Sequence, residues 1–309
     1  MKPQKTISVC FAVYQNENSL KILYERLLKI FENHFPNYGF ELVFVDDGSK
    51  DNSLNELIEL KKQTKDDRIK IISLSRNFGQ MAAIIAGWDY ATGDAVINMA
   101  ADLQDPPEQC IEMIKEWEKG NEIVISYRIS HSTTKIRKMT SRFFYKLMLR
   151  DVPPGGFDFV LIDRKPMDIL NSLKDHHRFY QYDILWAGFN IKFIPYDKIE
   201  RVFGKSQYNL LKRFGNFFSI LLNVSNFPIR LFSLIGGLVA LSGFLYAITI
   251  VMAYFIYDNV PFKGWAPIMI LILIIGGLTM LMLGMIGEYI WRILDEVKGR
   301  PNYIIKDIK

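Results

Sequence analysis

Short runs of β-branched and aromatic residues alternate with helical patterns over the first two thirds of the chain. The runs occupy residues 7–14, 40–49, 69–75, 94–99 and 122–128. Between the first two runs, the segment SLKILYERLLKIFENHF repeats its apolar residues three and four apart, which is the spacing of one helix face. Because strands that alternate with helices form βαβ units, we expect an α/β fold with a mostly parallel sheet.

Two much longer apolar stretches follow. Residues 231–257 and 265–287 contain no charged side chain. Each stretch exceeds the roughly 20 residues that cross a hydrocarbon core as a helix. We therefore predict two transmembrane helices, at 231–257 and 265–290. The alternative, a pair of buried core helices, would need a large soluble shell around them.

The charges that flank these stretches predict their orientation. The turn between them, residues 258–264, is short, so both ends of the pair face the same side. Basic residues flank the pair on that side: Lys212, Arg213, Arg230, Arg292, Lys298 and Arg300. By the positive-inside bias, that side is the cytoplasm, so we expect a multi-pass protein of the inner (cytoplasmic) membrane with both termini cytoplasmic. The N-terminal segment has no secretory signal pattern.

The segment before the first predicted span is apolar on most of its surface. It reads NLLKRFGNFFSILLNVSNF over residues 209–227. This pattern predicts an amphipathic helix in the membrane interface at 209–230, and a core helix of the soluble domain is the alternative because the apolar face is broad. The predicted division is a cytosolic domain at 1–208, this helix, the spans at 231–257 and 265–290, and a cytosolic tail at 291–309.

The net charge of the chain indicates which kind of partner it binds. The net charge is +5 and the pI is near 8.9, which suits a protein that rests on an anionic lipid bilayer. Nucleic-acid binding would also suit a basic chain, but no recognition motif supports it. The two cysteines, Cys10 and Cys110, lie in apolar or helical contexts on the reducing side, so we expect free thiols.

Polar side chains follow the predicted strands, where open α/β sheets bind ligands. They are Asp46, Asp47, Arg76, Asn77, Asp102 and Arg128. Each signal alone is ambiguous, since Asp-Asp-Gly-Ser also forms a structural turn that precedes a helix. Their combination and order carry the functional prediction.

That combination has a family likeness. The segments SVCFAVYQNENSL, LVFVDDGSKD, SLSRNFGQMAAIIAG, ADLQDPPE, GGFDF, VFGKSQY and GEYIWRILDEVKGRPNYI span nearly the whole chain. Together they resemble the family-2, GT-A-fold polyprenyl-phosphate glycosyltransferases, which include dolichol-phosphate mannose synthase and bacterial undecaprenyl-phosphate glucosyltransferases. The resemblance implies a GT-A domain that transfers one sugar, with inversion, from a nucleotide sugar to the phosphate of a membrane polyprenol. UDP-glucose and UDP-N-acetylglucosamine are the leading donors.

The resemblance also implies roles for individual residues. Nucleotide-sugar binding is assigned to Ala12, Tyr14, Glu17, Asp46, Asp47, Arg76, Asn77, Ala100, Ser206 and Tyr208. Lipid-phosphate binding is assigned to Arg128, Arg137 and Ser141. Catalytic roles are assigned to Asp102, Asp105 and Arg201. The C-terminal tail, with its β-like NYII, implies pairing with another subunit and hence a homo-oligomer.

A divalent cation, Mg²⁺ or Mn²⁺, is expected because a pyrophosphate leaving group carries charge that must be neutralised. Asp102 and Gln104 lie two residues apart at a predicted strand end, where alternate side chains face the same side. By the resemblance, these two match metal-binding positions of a D-x-D-x-Q motif. The acceptor, a phosphate monoester, is already ionised near neutral pH, so the reaction needs no strong general base.

Ala100 departs from the family motif, which has an aspartate at this position. A methyl group cannot replace a coordinating oxygen, so we expect weaker donor and metal binding. Three interpretations remain: an introduced substitution that inactivates the enzyme, which we favour, a natural variant that works through Asp102 and Gln104, or a natural pseudoenzyme. The function alternatives are a processive polysaccharide synthase, disfavoured because QYDILW lacks the arginine of Q-x-x-R-W, and a catalytically inactive membrane adaptor.

Overall fold

The structure, a computed structural model, describes residues 5–128, 157–175, 178–197, 227–256 and 266–309. The chain divides into two compact units. The first unit comprises residues 1–209 together with 301–309, and the second comprises residues 210–300. The last nine residues therefore belong to the same unit as the N-terminal two thirds of the chain.

One sheet organises the first unit. Its strands are β1 (Thr6–Val13), β2 (Gly39–Asp46), β3 (Ile69–Leu74), β4 (Ala95–Asn98), β5 (Ile123–Arg128), β6 (Phe159–Asp163), β7 (Ile191–Tyr196) and β8 (Ile305–Ile308). Their order across the sheet is β7-β5-β6-β4-β1-β2-β3-β8. The strands β6 and β8 run antiparallel to their neighbours, whereas the β1–β2, β2–β3, β1–β4 and β5–β7 pairs are parallel. The α/β prediction of a mostly parallel sheet is confirmed.

Helices cover both faces of this sheet. They are α1 (Leu20–His34), α2 (Ser53–Thr64), α3 (Gln80–Tyr90), α4 (Gln109–Glu118), α5 (Arg164–Ser172) and α6 (Tyr180–Trp186). Buried residues of α1, α2 and α4 pack with one face of the sheet, and those of α3, α5 and α6 pack with the other. Both faces are therefore apolar, which explains why the central strands read as continuous hydrophobic runs and show no alternation.

Two strands, β6 and β7, were not predicted from the apolar runs, and the β-like C-terminal tail was predicted to pair with another subunit. The strand β6 inserts antiparallel between β4 and β5, and β7 pairs with the outer side of β5. In the tail, β8 pairs with β3 of the same chain, with Ile72 opposite Ile308. The hydroxyl of Tyr303 donates to the Asp89 carboxylate at 2.6 Å and fastens the tail to α3.

The second unit contains two long helices, α7 (Phe227–Ile256) and α8 (Ala266–Val297). They coincide with the predicted spans, although α8 continues beyond residue 290. Among the described residues, one stretch, Ile274–Val297, is long and apolar enough to cross a membrane, judged by length and composition. A shorter apolar stretch, Leu234–Tyr246, lies within α7. The two-span arrangement remains a prediction, and residues 209–226 of the predicted interfacial helix lie outside the described residues.

Gly48 lets two loops approach each other at the carboxyl ends of β2 and β3. Its φ is 67°, and a Cβ atom built there would lie 2.8 Å from the backbone carbon of Arg76 and 2.8 Å from the backbone nitrogen of Asn77. No side chain can occupy this position without moving the backbone that carries Arg76 and Asn77.

We predict that Gly48→Ala lowers the free energy of unfolding by more than the roughly 1–2 kcal/mol that a left-handed backbone costs an L-residue. Gly120→Ala is the matched control, because Gly120 also has a positive φ, 95°, but has open space around it. Urea unfolding of both variants measures the difference. If Gly48→Ala and Gly120→Ala lower the free energy of unfolding equally, the close approach of the Arg76–Asn77 backbone to Gly48 has no effect on stability.

Candidate active site

The strand order reverses between β1 and β4. From β1 the chain proceeds through β2 to β3 on one side, and it then returns to place β4 on the other side of β1. In open α/β sheets, a crevice opens outside the carboxyl ends of the strands at such a reversal. The loops that border it are joined by Ser19, whose hydroxyl donates at 2.8 Å to the carbonyls of Asn16 and Ala101.

The loop after β1 is held by side chains at the start of α2. The amide of Gln15 donates to the Ser49 hydroxyl at 3.2 Å, and the amide of Asn16 donates to the Ser53 hydroxyl at 2.9 Å. The carboxylate of Glu17 in turn accepts from the Asn52 amide at 3.3 Å. These bonds fix the loop. Of the predicted nucleotide-binding residues here, Ala12 and Tyr14 are half-buried and Glu17 is exposed.

Asp46 ends β2, Asp47 follows it, and both are buried. The carboxylate of Asp47 accepts from the amides of Phe78 at 2.7 Å and Gly79 at 2.9 Å. Asp46 accepts more weakly from the Ser49 amide, at 3.3 Å. Burial raises the pKa of each carboxyl above its usual value, although the amide hydrogen bonds oppose this shift. Asp47 therefore also has a structural role, because it ties the end of β2 to the turn that starts α3.

Arg76 and Asn77 lie on the rim of the crevice and are exposed. The guanidinium of Arg76 sits 4.2 Å from the centroid of the Phe78 ring. Residue Ser75, just before them, donates its amide to the Ile304 carbonyl of the tail at 2.9 Å. This rim loop is thus fixed from one side by Asp47 and from the other by the C-terminal tail.

Asp102 and Gln104 follow β4, but the strand periodicity used to place them is wrong. The strand ends at Asn98, and residues 101–103 form a turn in which Leu103 has a φ of 60°. The amide of Gln104 donates to Asp102 Oδ1 at 3.1 Å, which closes the turn. Asp102, Gln104 and Ala100 are all half-buried at this end of the sheet.

The oxygen atoms of Asp102 and Gln104 fit a hard divalent cation. Within the part of the chain that the structure describes, no group of three or more His, Cys, Asp or Glu side chains could hold a metal ion. Mg²⁺ and its analogues often bind through one or two carboxylates with substrate phosphates as the remaining ligands. The turn therefore suits a cation that arrives with a phosphorylated ligand.

A second polar cluster lies at the same edge of the sheet. Asp105 is buried, and the hydroxyl of Tyr196, the last residue of β7, donates to its carboxylate. Burial and the Asp105 charge raise the pKa of Tyr196, while Arg128 lowers it and Asp158 raises it further. Arg128 and Asp158 thus lie near the same hydroxyl. The predicted catalytic residue Asp105 thus contacts Tyr196 at a buried position.

Asp158 was missed as a site residue. It immediately precedes β6, and because β6 is antiparallel, its start lies at the edge where the parallel strands end. Its Oδ1 accepts from the hydroxyl of Tyr180 at 2.8 Å and from Gln181 Nε2 at 3.2 Å. The motif GGFDF was visible in the sequence, but only the strand direction brings its carboxylate to this edge.

Five predicted site residues lie outside the described residues, so the structure does not describe their surroundings. They are Arg137, Ser141, Arg201, Ser206 and Tyr208.

Residues 8–185 match the family model of glycosyl transferase family 2. The chain is 38% identical over 304 residues to the uncharacterized glycosyltransferase YkcC of Bacillus subtilis, covering 97% of this chain and 93% of the relative. It is 34% identical over 305 residues to the SfII prophage-derived bactoprenol glucosyl transferase of Shigella flexneri, covering 97% of each.

Among solved structures, one similar fold is glucosyl-3-phosphoglycerate synthase from Mycobacterium tuberculosis in complex with Mn²⁺, UDP-glucose and phosphoglyceric acid. The TM-score is 0.53 at 13% identity, over 71% of this chain and 78% of that one. At this identity the likeness concerns the fold.

We predict that Asp102→Asn abolishes Mn²⁺-dependent binding of UDP, because it removes the carboxylate of the turn. Calorimetric titration of UDP with and without Mn²⁺ measures this. Asp67→Asn, an exposed residue before β3, is a control that removes the same charge elsewhere. Unchanged Mn²⁺-dependent binding in Asp102→Asn would exclude the carboxylate as a ligand.

Proposed function

The chain belongs to glycosyl transferase family 2, and we propose that it transfers a single sugar from a UDP-sugar to undecaprenyl or another polyprenyl phosphate. Glucose and N-acetylglucosamine are the proposed sugars. The observation that carries this proposal is the match to a bactoprenol glucosyl transferase over 97% of both chains, which includes the helical unit as well as the sheet. A relative that shared only the nucleotide-binding domain would carry no information about a lipid acceptor.

Pairing between β3 and β8 supports a two-span topology. These strands belong to segments that precede and follow α7 and α8 in the chain, yet they form one sheet. Strands of one sheet lie on the same side of a membrane, so the chain between them crosses it an even number of times. A single crossing by Ile274–Val297 does not satisfy this condition. We therefore propose that α7 and α8 cross as a hairpin, with the sheet on the cytoplasmic side of the inner membrane.

On the donor side, Asp102 and Gln104 would hold a Mg²⁺ or Mn²⁺ ion together with the donor pyrophosphate. When bound, such an ion neutralises charge that develops on the leaving UDP. The loops after β1 and β2 border the crevice in which the nucleotide would lie. Their backbone is fixed by Ser49, Ser53 and Asp47, so they need little rearrangement when a ligand binds.

On the acceptor side, the phosphate oxygen of the lipid would attack the anomeric carbon. The new bond forms on the face opposite the bond to UDP, which breaks with its electrons going to the leaving phosphate, and the configuration inverts. A phosphate monoester has a second pKa of about 6, so it is already nucleophilic near pH 7. Arg128, at the end of β5, would attract this phosphate. Asp105 accepts a hydrogen bond from Tyr196, and Asp158 accepts one from Tyr180. These two hydrogen bonds would fix the positions of the side chains on this side of the site.

Ala100 reduces the number of carboxylates near the cation, and we propose that it impairs turnover. The rest of the turn keeps its internal hydrogen bond between Gln104 and Asp102, which supports the proposal that the site still binds the cation and the donor. A catalytically inactive membrane adaptor is the second candidate, and Ala100 is the observation that favours it. Homo-oligomer formation stays a prediction.

We predict that Ala100→Asp transfers radiolabelled sugar from UDP-glucose or UDP-N-acetylglucosamine to undecaprenyl phosphate faster than the unaltered chain does. The added carboxylate supplies an oxygen that the methyl group lacks. Lipid-linked product is extracted and counted over a panel of UDP- and GDP-sugars. Equal rates would mean that Asp102 and Gln104 suffice. No product from either protein with any donor would contradict the enzyme proposal and favour the adaptor.

A further inference from the structure

Leu103 has a backbone conformation that is unusual for its residue type. Its φ is 60°, in the left-handed region that bulky side chains rarely adopt. The other non-glycine residues with positive φ in the described ranges are polar: Gln15, Asn18 and Lys65. Leu103 is therefore an exception that something in the surrounding structure must stabilise.

Burial of its side chain supplies that stabilisation. The residue is only 4% exposed and belongs to the apolar cluster under α1 and α4. A return of the backbone to an extended conformation would redirect the side chain away from that cluster. The apolar contact and the left-handed backbone are thus coupled, and neither persists without the other.

The consequence falls on the two neighbours of Leu103. Its inward direction leaves Asp102 and Gln104 at the sheet edge, within a turn closed by the 3.1 Å bond between the Gln104 amide and Asp102 Oδ1. On the N-terminal side, the Ala101 carbonyl accepts from Ser19, and on the C-terminal side Asp105 accepts from Tyr196. Between these two points, the Leu103 side chain packs into the apolar cluster.

We propose that Leu103 is a positioning residue, whose buried side chain forces the backbone turn that presents Asp102 and Gln104 to a divalent cation. This inference rests on the proposed function only in that it takes those two residues as the cation ligands. It adds a specific cause for their placement, which strand periodicity did not supply. With Ala100 in place of a carboxylate, the site depends all the more on the placement of these two.

The first test compares two leucine truncations in the same apolar cluster. Leu103 and Leu60 are each 4% exposed, but Leu60 lies in α2, away from the turn. Both Leu103→Ala and Leu60→Ala lower the melting temperature. Only Leu103→Ala weakens Mn²⁺ binding in the presence of UDP, by about tenfold, as expected for residues that support metal ligands. Binding is read from the electron paramagnetic resonance signal of free Mn²⁺, which needs no turnover.

A second pair of variants keeps the core apolar in case truncation prevents folding. Leu103→Met is unbranched and fills irregular space, so it retains the anchor and the turn. Leu103→Val is also apolar, but its β-branched side chain strongly disfavours a positive φ. We expect Leu103→Met to keep the affinity for Mn²⁺ and Leu103→Val to lose it, with UDP binding in the absence of metal unchanged in both.

The outcomes separate this inference from the proposed function. If the unaltered chain binds Mn²⁺ with UDP and the Leu103 variants bind it equally well, Leu103 only fills the core and the positioning role is overturned, while the proposed function stands. If the unaltered chain shows no Mn²⁺ binding with UDP, the assignment of Asp102 and Gln104 as cation ligands and the positioning role of Leu103 are both overturned, whereas sugar transfer is decided separately by the product assay with Ala100→Asp. The inference is supported if Leu103→Ala and Leu103→Val lose affinity for Mn²⁺ in the presence of UDP while Leu60→Ala and Leu103→Met keep it.

Discussion

The position of β1 between β2 and β4 is the constraint on which the rest of the structure depends. Since the chain leaves β1 on one side and returns on the other, the carboxyl ends of β1 and β4 lie where open α/β sheets bind their ligands. The polar groups of the candidate site that the structure describes lie at this edge of the sheet. The buried apolar faces of the sheet make the edge rigid, and Gly48 and Asp47 bring the neighbouring loops together. The strand order thus determines which side chains can lie close together at this edge.

The sequence allowed prediction of the parts of this arrangement that depend on local pattern. The five apolar runs correspond to β1 through β5, because a strand buried on both faces must be apolar throughout. Polar residues at or shortly after those runs, such as Asp46 and Asp102, could be named because they interrupt the apolar pattern. The family resemblance added the reaction class, which no hydrophobic pattern contains.

Features that depend on contacts between distant residues could not be predicted. The direction of β6 places Asp158 at the site edge, and nothing in GGFDF alone indicates that direction. Tyr196 meets Asp105 across 91 positions of sequence. The left-handed backbone of Leu103 is opposed by its own local preference and exists because the core accepts its side chain. In each case tertiary packing decided what local propensity could not.

The C-terminal tail belongs to the unit that contains the sheet. Its strand β8 completes the sheet beside β3, and its Ile304 carbonyl bonds to the loop that leads to Arg76. The segment that follows the apolar helices is therefore part of the domain that precedes them. The loop that leads to Arg76 is thus held in place by the end of the chain.

The central claim is that the crevice between β1 and β4 holds a divalent cation on Asp102 even though Ala100 removes a neighbouring carboxylate. Anomalous diffraction from crystals grown with Mn²⁺ and UDP tests it most directly, because it locates the metal without requiring turnover. The account predicts one strong peak at the carboxyl ends of these strands, about 2.1 Å from an Asp102 oxygen. A metal peak elsewhere in the chain, or UDP bound in the crevice with no metal beside it, would contradict the account.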